Sequence, residues 1–213
     1  MKEVAIIGGG ILGLAIGYEL SISHPNFKIT LFEKEEGLGK HQSGNNSGVL
    51  HCGLYYQPGS LKAKLAVDGI REMIAFCKKN QINHEVCGKI VVASDDREIG
   101  LLDNLADRGA KNGLKGLKFL SPKELKQREP NVRATKALLV PEEGIVDYKQ
   151  VMKVMAQYIL NSGGKVYANN KVIRLTSSNE NSILLETEKS INQLTKDSIF
   201  QSTIGELAYA YLL

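Results

Sequence analysis

A glycine-rich stretch near the N-terminus has the spacing of a turn that binds the phosphates of a dinucleotide. Gly8, Gly10 and Gly13 satisfy the pattern G-x-G-x-x-G, with Ile11 and Leu12 between the last two glycines. The first glycine permits a tight turn, the second lets the backbone approach a pyrophosphate, and the third allows close helix–strand packing. Backbone N–H groups at the start of the following helix would then face the phosphates. The pattern predicts a dinucleotide site.

One helix and two strands are predicted to hold this turn. Val4–Ile7 is a continuous apolar run typical of a buried parallel strand, and residues 11 to about 23 have helical spacing. A second strand over Ile29–Phe32 closes a βαβ unit. Glu33 follows it, where a carboxylate accepts hydrogen bonds from ribose hydroxyls. FAD and NAD share this fingerprint, so the turn alone does not choose between them.

The composition argues against several other classes of protein. The chain is 43% hydrophobic and 23% charged, with a net charge of +4 and no block of like charges, so nothing supports a nucleic-acid partner. Three cysteines without a C-x-x-C pair and four scattered histidines predict neither a disulfide framework nor a metal site. No apolar run reaches the roughly 18 residues that span a bilayer. A cytoplasmic location is therefore predicted, and peripheral association with the inner membrane stays open.

A longer motif follows Glu33 and makes the choice of cofactor. Residues 41–51 read HQSGNNSGVLH and residues 53–62 read GLYYQPGSLK. This segment resembles the L-2-hydroxyglutarate oxidase (dehydrogenase) family, within the D-amino-acid oxidase / glycerol-3-phosphate dehydrogenase superfamily of flavoproteins. Weaker similarity continues to about Leu175 and includes residues 141–147, PEEGIVD.

The resemblance implies a cofactor, a reaction and a set of cofactor-binding residues. FAD is expected in an extended form, L-2-hydroxyglutarate or a similar small 2-hydroxy acid as substrate, and oxygen or a quinone as electron acceptor. Residues 41–48 are expected along the pyrophosphate and isoalloxazine, and the backbone of Val172 at the adenine. The cofactor-binding residues so implied are Gly8, Gly10, Ile11, Leu12, Gly13, Glu33, Lys34, His41, Gln42, Ser43, Asn46, Ser47, Gly48 and Val172.

The chemistry of the motif residues agrees with a flavin site. A flavin needs small residues against its face and N–H or hydroxyl donors at its edge, and residues 43–48 supply both. When hydride leaves C2 of a 2-hydroxy acid, a base must take the hydroxyl proton. His51 is the predicted base because the ordinary pKa of a histidine lies near neutrality. Tyr55 is predicted to orient a substrate carboxylate, with Tyr56 as a second candidate. A structural histidine and tyrosines packed in the core are the alternatives.

The predicted fold class is α/β, a Rossmann-like FAD-binding domain with a smaller α+β substrate-domain insertion. The FAD-binding domain is predicted over residues 1–84 and 145–190, the partial substrate domain over 85–144 and an unrelated tail over 191–213. No N-C-A-G-like turn or G-x-R segment of the family follows Leu175. The expectation is therefore a truncated family member. A non-catalytic remnant and a glycerol-3-phosphate oxidase-like flavoprotein are the alternative functions.

Further elements are predicted along the rest of the chain. A helix should begin after the N-cap Ser60 and bury Leu65, Ile70, Met73, Ile74 and Cys77. Residues 97–112 and 148 onward also have helical spacing. Strands are predicted over Lys89–Ala93, Ala137–Val140, residues 171–175 and residues 182–187.

Overall fold

The structure of the protein, a computed structural model, describes residues 2–179, 182–195 and 199–201. The chain divides into two compact units. The first unit is Met1–Asn46 with Tyr148–Leu213, and the second unit is Ser47–Asp147. Among the described residues, no helix is both long enough and apolar enough to cross a membrane.

Five helices are interspersed among the strands of the described residues. In chain order they are β1 (Glu3–Ile7), α1 (Ile11–Ser23), β2 (Lys28–Phe32), β3 (Val49–Leu50), α2 (Leu61–Lys79), β4 (His84–Glu85), β5 (Lys89–Ala93), α3 (Asp96–Lys111), β6 (Lys118–Leu120), α4 (Pro122–Arg128), β7 (Lys136–Val140), β8 (Gly144–Val146), α5 (Tyr148–Asn161), β9 (Lys165–Tyr167), β10 (Val172–Asn179), β11 (Ser182–Thr187), β12 (Ile191–Thr195) and β13 (Ile199–Gln201).

A parallel sheet with the strand order β13-β1-β2-β9 forms the centre of the first unit. β1 and β2 pair in parallel, with Ala5 opposite Thr30. The predicted βαβ unit is therefore confirmed, and its strands and helix lie within one residue of the predicted bounds. The predicted strands after α5 are also present, and β11 pairs with β10 and with β12 in a separate antiparallel sheet.

Both faces of the parallel sheet are covered, which explains why β1 is apolar from Val4 to Ile7. Ala5 and Phe32 pack with Leu185 of β11 on one face. On the other face a Cβ added at Gly17 of α1 would lie 3.2 Å from Ile6 and 2.5 Å from Ile159 of α5. Layers on both faces are the usual setting of parallel strands.

The second unit contains two small antiparallel sheets, β5-β7-β6 and β3-β8-β4. Ser60 caps α2 as predicted, since its hydroxyl accepts a hydrogen bond from the Ala63 N–H at 3.2 Å. The predicted buried stripe of α2 is wrong at Leu65, which is 60% exposed. Ala63 and Val67 are buried instead. They lie on the same helix face as the buried Ile70, because residues three or four positions apart share a face, whereas Leu65 lies on another face.

The unit boundary after Asp147 lies close to the predicted domain boundary at residue 145, whereas the boundary before Ser47 lies far from the predicted one at residue 84. α2 belongs to the second unit because its side chains contact other parts of that unit. Arg71, for example, donates hydrogen bonds to the Gly113 carbonyl at 3.1 Å and to Glu142 Oε1 at 3.0 Å. The division of the chain into a cofactor domain and a substrate domain stays a prediction.

Part of the predicted tail is regular structure. β12 pairs with β11, and β13 pairs in parallel with β1, placing Ile199 opposite Ala5. The sequence shows no pattern here because strands of three to five residues give too short a window for a period of two. Residues 202–213 of the predicted tail lie outside the described residues.

Candidate cofactor and substrate sites

The glycine turn has the backbone geometry that a phosphate-binding loop requires. Gly8 has a φ of 108°, which a side chain would strain, and its N–H donates to the Phe32 carbonyl at 2.8 Å. Gly10 is extended and precedes α1 as its N-cap. Gly13 is buried within the first turns of the helix. The strand, turn and helix thus follow one another as in dinucleotide-binding units.

Glu33 is buried beside this turn and is held by two backbone groups. Its Oε2 accepts a hydrogen bond from the Gly9 N–H at 2.6 Å, and its Oε1 accepts one from the Glu35 N–H at 2.8 Å. Each carboxylate oxygen can accept more than one hydrogen bond. Glu33 therefore keeps acceptor capacity for ribose hydroxyls while its orientation is fixed.

Ser43 connects the HQSGNNSG segment to the start of α1. Its Oγ accepts a hydrogen bond from the Ile11 N–H at 3.0 Å, so a residue distant in sequence caps a helix that has no local side-chain cap. A Cβ at Gly10 would lie 3.1 Å from the same Oγ. The segment and the turn are therefore in direct contact.

The other residues predicted to bind the cofactor are distributed over both units. His41 Nε2 lies 2.9 Å from Glu35 Oε1, and Asn46 donates to the Ser43 carbonyl at 2.8 Å. Val172 packs, half-buried, against the core of the first unit. Leu12, Lys34, Gln42 and Ser47 are exposed. Gly48 has a φ of 72° and its carbonyl accepts the Val146 N–H at 2.8 Å.

Asn170 is a polar residue of this region that the sequence did not reveal. Its backbone N–H donates to the Glu33 carbonyl at 2.8 Å, and its side chain is buried. The side-chain Oδ1 has no hydrogen-bond partner among the described residues. Buried polar atoms are almost always paired, so an unpaired one beside Glu33 fits a site that a ligand completes.

A cavity of about 530 Å³ lies in the first unit, and one residue of its lining, Gly39, donates its N–H to the carbonyl of Gly9 in the glycine turn at 3.0 Å. It is lined by residues of α5, including Lys149 and Lys153, and by Leu38, Gly39, Lys40, Gly44 and Asn45, none of which is a predicted cofactor-binding residue. An extended dinucleotide lies along a turn and a strand edge, so the backbone geometry of the turn decides where it binds.

A second group of polar side chains lies in the second unit, around the buried Glu143. The Glu143 side chain is 1% exposed. Lys89 Nζ lies 2.5 Å from its Oε2, and His51 Nδ1 lies 3.8 Å from the same oxygen. The Lys89 ammonium also lies 4.7 Å from the centre of the Tyr55 ring. The predicted base His51 therefore lies near Glu143, and the predicted carboxylate-binding Tyr55 lies near Lys89, its ion-pair partner.

Cys52 contacts the other carboxylate oxygen of Glu143. Its Sγ and its backbone N–H lie 3.3 and 3.4 Å from Glu143 Oε1. Burial, and then the negative charge and hydrogen bond of Glu143, raise the pKa of the Cys52 thiol to about 12. The thiol therefore stays protonated near neutral pH and donates to the carboxylate.

Sequence reasoning missed Lys89 and Glu143. Lys89 begins an apolar strand, and Glu143 is the second of two adjacent glutamates before a glycine, a pattern typical of an exposed turn. The sequence pattern does not distinguish the half-buried Glu142, the partner of Arg71, from the buried Glu143. Within the described ranges, no three His, Cys, Asp or Glu side chains are grouped so as to hold a metal ion.

Two solved oxidase structures have a similar fold. Dithionite-reduced L-α-glycerophosphate oxidase of Mycoplasma pneumoniae, solved with FAD bound, matches with a TM-score of 0.78 and 26% identity, over 89% of this chain and 51% of that one. Glycine oxidase of Geobacillus kaustophilus matches with a TM-score of 0.82 and 22% identity, over 95% of this chain and 56% of that one. The second similarity concerns the fold alone.

The FAD dependent oxidoreductase family model matches residues 3–198, so the chain belongs to this family. The predicted fold class is confirmed, and the predicted cofactor is that of the family. L-2-hydroxyglutarate dehydrogenase of Indibacter alkaliphilus is 47% identical over 182 residues, which are 85% of this chain and 46% of that protein. The human mitochondrial L-2-hydroxyglutarate dehydrogenase is 38% identical over 96% of this chain and 43% of its own length. The resemblance of the motif to this family is confirmed, and the chain spans under half the length of these two relatives.

Proposed function

We propose that this chain binds FAD and belongs to a flavoenzyme that oxidises L-2-hydroxyglutarate to 2-oxoglutarate. The observation that carries the proposal is the similarity to L-2-hydroxyglutarate dehydrogenases along most of the chain. The motif at residues 41–62 lies within that similarity and contains the proposed base. The same oxidation would apply to a similar small 2-hydroxy acid that differs from L-2-hydroxyglutarate only away from its hydroxyl-bearing carbon.

The turn and its neighbours supply what the cofactor requires. N–H groups at the start of α1 would face the pyrophosphate, and Gly10 leaves room for its approach. Glu33 would accept hydrogen bonds from the ribose hydroxyls, and the unpaired Asn170 Oδ1 offers a further acceptor beside it. Residues 41–48 and Val172 keep the roles that the family resemblance implies.

The second group supplies acid–base chemistry and substrate recognition. FAD, when bound, supplies the acceptor for the hydride from C2 of the substrate. His51, whose side chain is exposed, takes the proton of the substrate hydroxyl. Tyr55 is exposed as well, and its hydroxyl and the Lys89 ammonium would bind a substrate carboxylate.

Anaerobic reduction of the bound flavin tests the substrate directly. Purified protein loaded with FAD would be mixed with L-2-hydroxyglutarate, with its D enantiomer or with L-glycerol 3-phosphate, and the oxidised-flavin absorption followed. We expect bleaching by the L-2-hydroxy acid and equimolar 2-oxoglutarate. Bleaching by glycerol 3-phosphate alone would favour the second candidate, which the 26% identity to the glycerophosphate oxidase supports. Protein that takes up FAD but is bleached by none of the three compounds would favour the non-catalytic remnant.

We further propose oxygen or a quinone as the electron acceptor. A quinone acceptor would bring the protein to the surface of a membrane, in keeping with peripheral association, whereas oxygen would not. Hydrogen peroxide formation and reduction of a soluble quinone, each measured with and without lipid vesicles, separate the two acceptors.

A further inference from the structure

Glu143 is a buried carboxylate for which the proposed reaction has no direct use. It lies at the turn between β7 and β8 in the second unit, and its backbone carbonyl accepts the Gly88 N–H at 2.8 Å. Burying a carboxylate is costly unless charges and hydrogen bonds compensate. What each of its two oxygens contacts therefore indicates what the residue does.

The two oxygens have different surroundings. Oε1 faces two donors of Cys52, the backbone N–H and the thiol. Oε2 faces the Lys89 ammonium at 2.5 Å and His51 Nδ1 at 3.8 Å. No described group meets Oε2 with the angles of a hydrogen bond, although the ammonium neutralises its charge. His51 Nδ1 lies close enough to this oxygen to become a hydrogen-bond donor to it.

We propose that Glu143 is the positioning residue for His51, accepting a hydrogen bond from Nδ1–H through Oε2. The inference rests on the proposed role of His51 as the base. The imidazole would close the 3.8 Å separation by a small rotation, since hydrogen bonds at reacting groups are often long before a ligand binds. With the proton on Nδ1, the lone pair on Nε2 is free to accept the proton of the substrate hydroxyl.

The charges balance through this step. The hydroxyl proton would move to His51 Nε2 as the alcohol becomes a ketone, and FAD, when bound, would supply the acceptor for the hydride of C2. The Glu143 side chain would stabilise the imidazolium from the Nδ1 side. Before His51 is protonated, the positive charge of Lys89 balances the negative charge of the Glu143 carboxylate. Cys52 fixes the orientation of that carboxylate by a hydrogen bond to Oε1.

The tautomer of His51 can be measured without cofactor or substrate. Long-range ¹H–¹⁵N correlation spectra of the imidazoles distinguish Nδ1–H from Nε2–H at a pH where the rings are neutral, and His51→Asn assigns the signal. Wild-type protein should show mainly the Nδ1–H form. In Glu143→Gln the two Cys52 donors should hold the amide oxygen, turning the NH₂ toward His51, so the Nε2–H form should dominate.

Two variants make the experiment decisive. Glu142→Gln is the matched control, because Glu142 is the adjacent carboxylate and contacts Arg71 and Lys115 rather than His51, so its spectrum should match wild type. Should Glu143→Gln fail to fold, Glu143→Asp withdraws the carboxylate by one methylene and should likewise raise the Nε2–H population. An unchanged His51 tautomer in folded Glu143→Gln or Glu143→Asp overturns the proposal.

A kinetic readout separates this inference from the proposed function. Flavin reduction at saturating L-2-hydroxyglutarate should slow by roughly tenfold or more in Glu143→Gln, with the substrate concentration for half-maximal rate nearly unchanged. Equal rates in the two proteins overturn the positioning role. Absence of flavin reduction in wild type overturns the proposed function, whereas the tautomer measurement still decides the role of Glu143.

Discussion

Cys52 shows how the surroundings of one side chain decide its chemistry. A reactive thiol needs a cationic neighbour that lowers its pKa. Cys52 is instead fully buried against the Glu143 carboxylate, which keeps the thiol protonated. Its place beside the proposed base therefore makes it a hydrogen-bond donor and not a nucleophile.

Alkylation of the folded protein should follow this difference. We expect iodoacetamide at mildly alkaline pH to label the exposed Cys87 and to leave the buried Cys52 and Cys77 unlabelled, as judged by peptide mass spectrometry. The same protein unfolded in urea is the control and should be labelled at all three positions. Rapid labelling of Cys52 in the folded protein would contradict its burial.

The raised pKa of Cys52 also predicts a loss of stability in alkali. The thiol ionises near its ordinary value of 9.0 when the chain is unfolded, but only near 12 when it is folded. The stabilising contribution is thus complete below pH 9.0 and is lost as the pH rises toward 12, because the unfolded state releases its proton first. Urea midpoints measured across this range should fall less steeply in Cys52→Ala than in wild type. Parallel curves would show that the thiol does not contribute.

At the level of elements, α3 contains two glycines in opposite surroundings. Gly100 is exposed, and a Cβ there would meet nothing within 4 Å. A Cβ at Gly109 would lie 2.7 Å from Leu54 Cδ1 and 2.9 Å from Leu117 Cδ1. Leu54 is fully buried and has little room to move. The helix can therefore carry a side chain at one of the two positions only.

The two alanine substitutions should change stability in opposite directions. Gly100→Ala should stabilise the protein by about 0.5–1 kcal/mol, because alanine loses less backbone entropy in a helix. Gly109→Ala should destabilise it, since overpacking costs about 1–3 kcal/mol and outweighs the same gain. Chemical unfolding of the two variants measures both effects, and each serves as the control for the other. Stabilisation by both would show that Leu54 and Leu117 move aside.

Elements with a long, local signal were predictable from the sequence, and contacts between distant residues were not. The glycine turn, α1 and the N-cap Ser60 depend on neighbours within a few positions, so their patterns are visible in the sequence. The burial of Glu143 depends on Cys52, 91 residues away, and so has no local signature. β13 was missed for the same reason, because its partner is β1.

For the whole molecule, a ligand that binds only the folded state should raise the melting temperature. At a free FAD concentration 100 times Kd the stabilisation is about 2.7 kcal/mol. For a chain of this size that corresponds to roughly 5–11 °C. Differential scanning fluorimetry should show this shift with FAD, and NAD should give little or none. A shift with NAD alone would contradict the choice of cofactor.

Gly10→Val is the matching variant for that experiment. Its branched side chain would fill the space that the pyrophosphate needs and press on Ser43. The φ of −78° at Gly10 is accessible to valine, so the fold should persist. We expect a folded protein whose melting temperature no longer responds to FAD and which is purified without flavin. Wild-type flavin content would contradict the assignment of the turn.

The position of β1 between β2 and β13 has a consequence for synthesis on the ribosome. β2 ends at Phe32, so β1 can pair with it soon after the first residues leave the ribosome. β13 ends at Gln201, so the other edge of β1 can be paired only much later. At 5–20 residues per second the interval is roughly 10–35 s. During that time an apolar strand of the nascent chain has an unpaired edge, which is a template for association with other chains. Trigger-factor-like holdases that cover this edge until β13 is made should therefore increase the yield of folded protein.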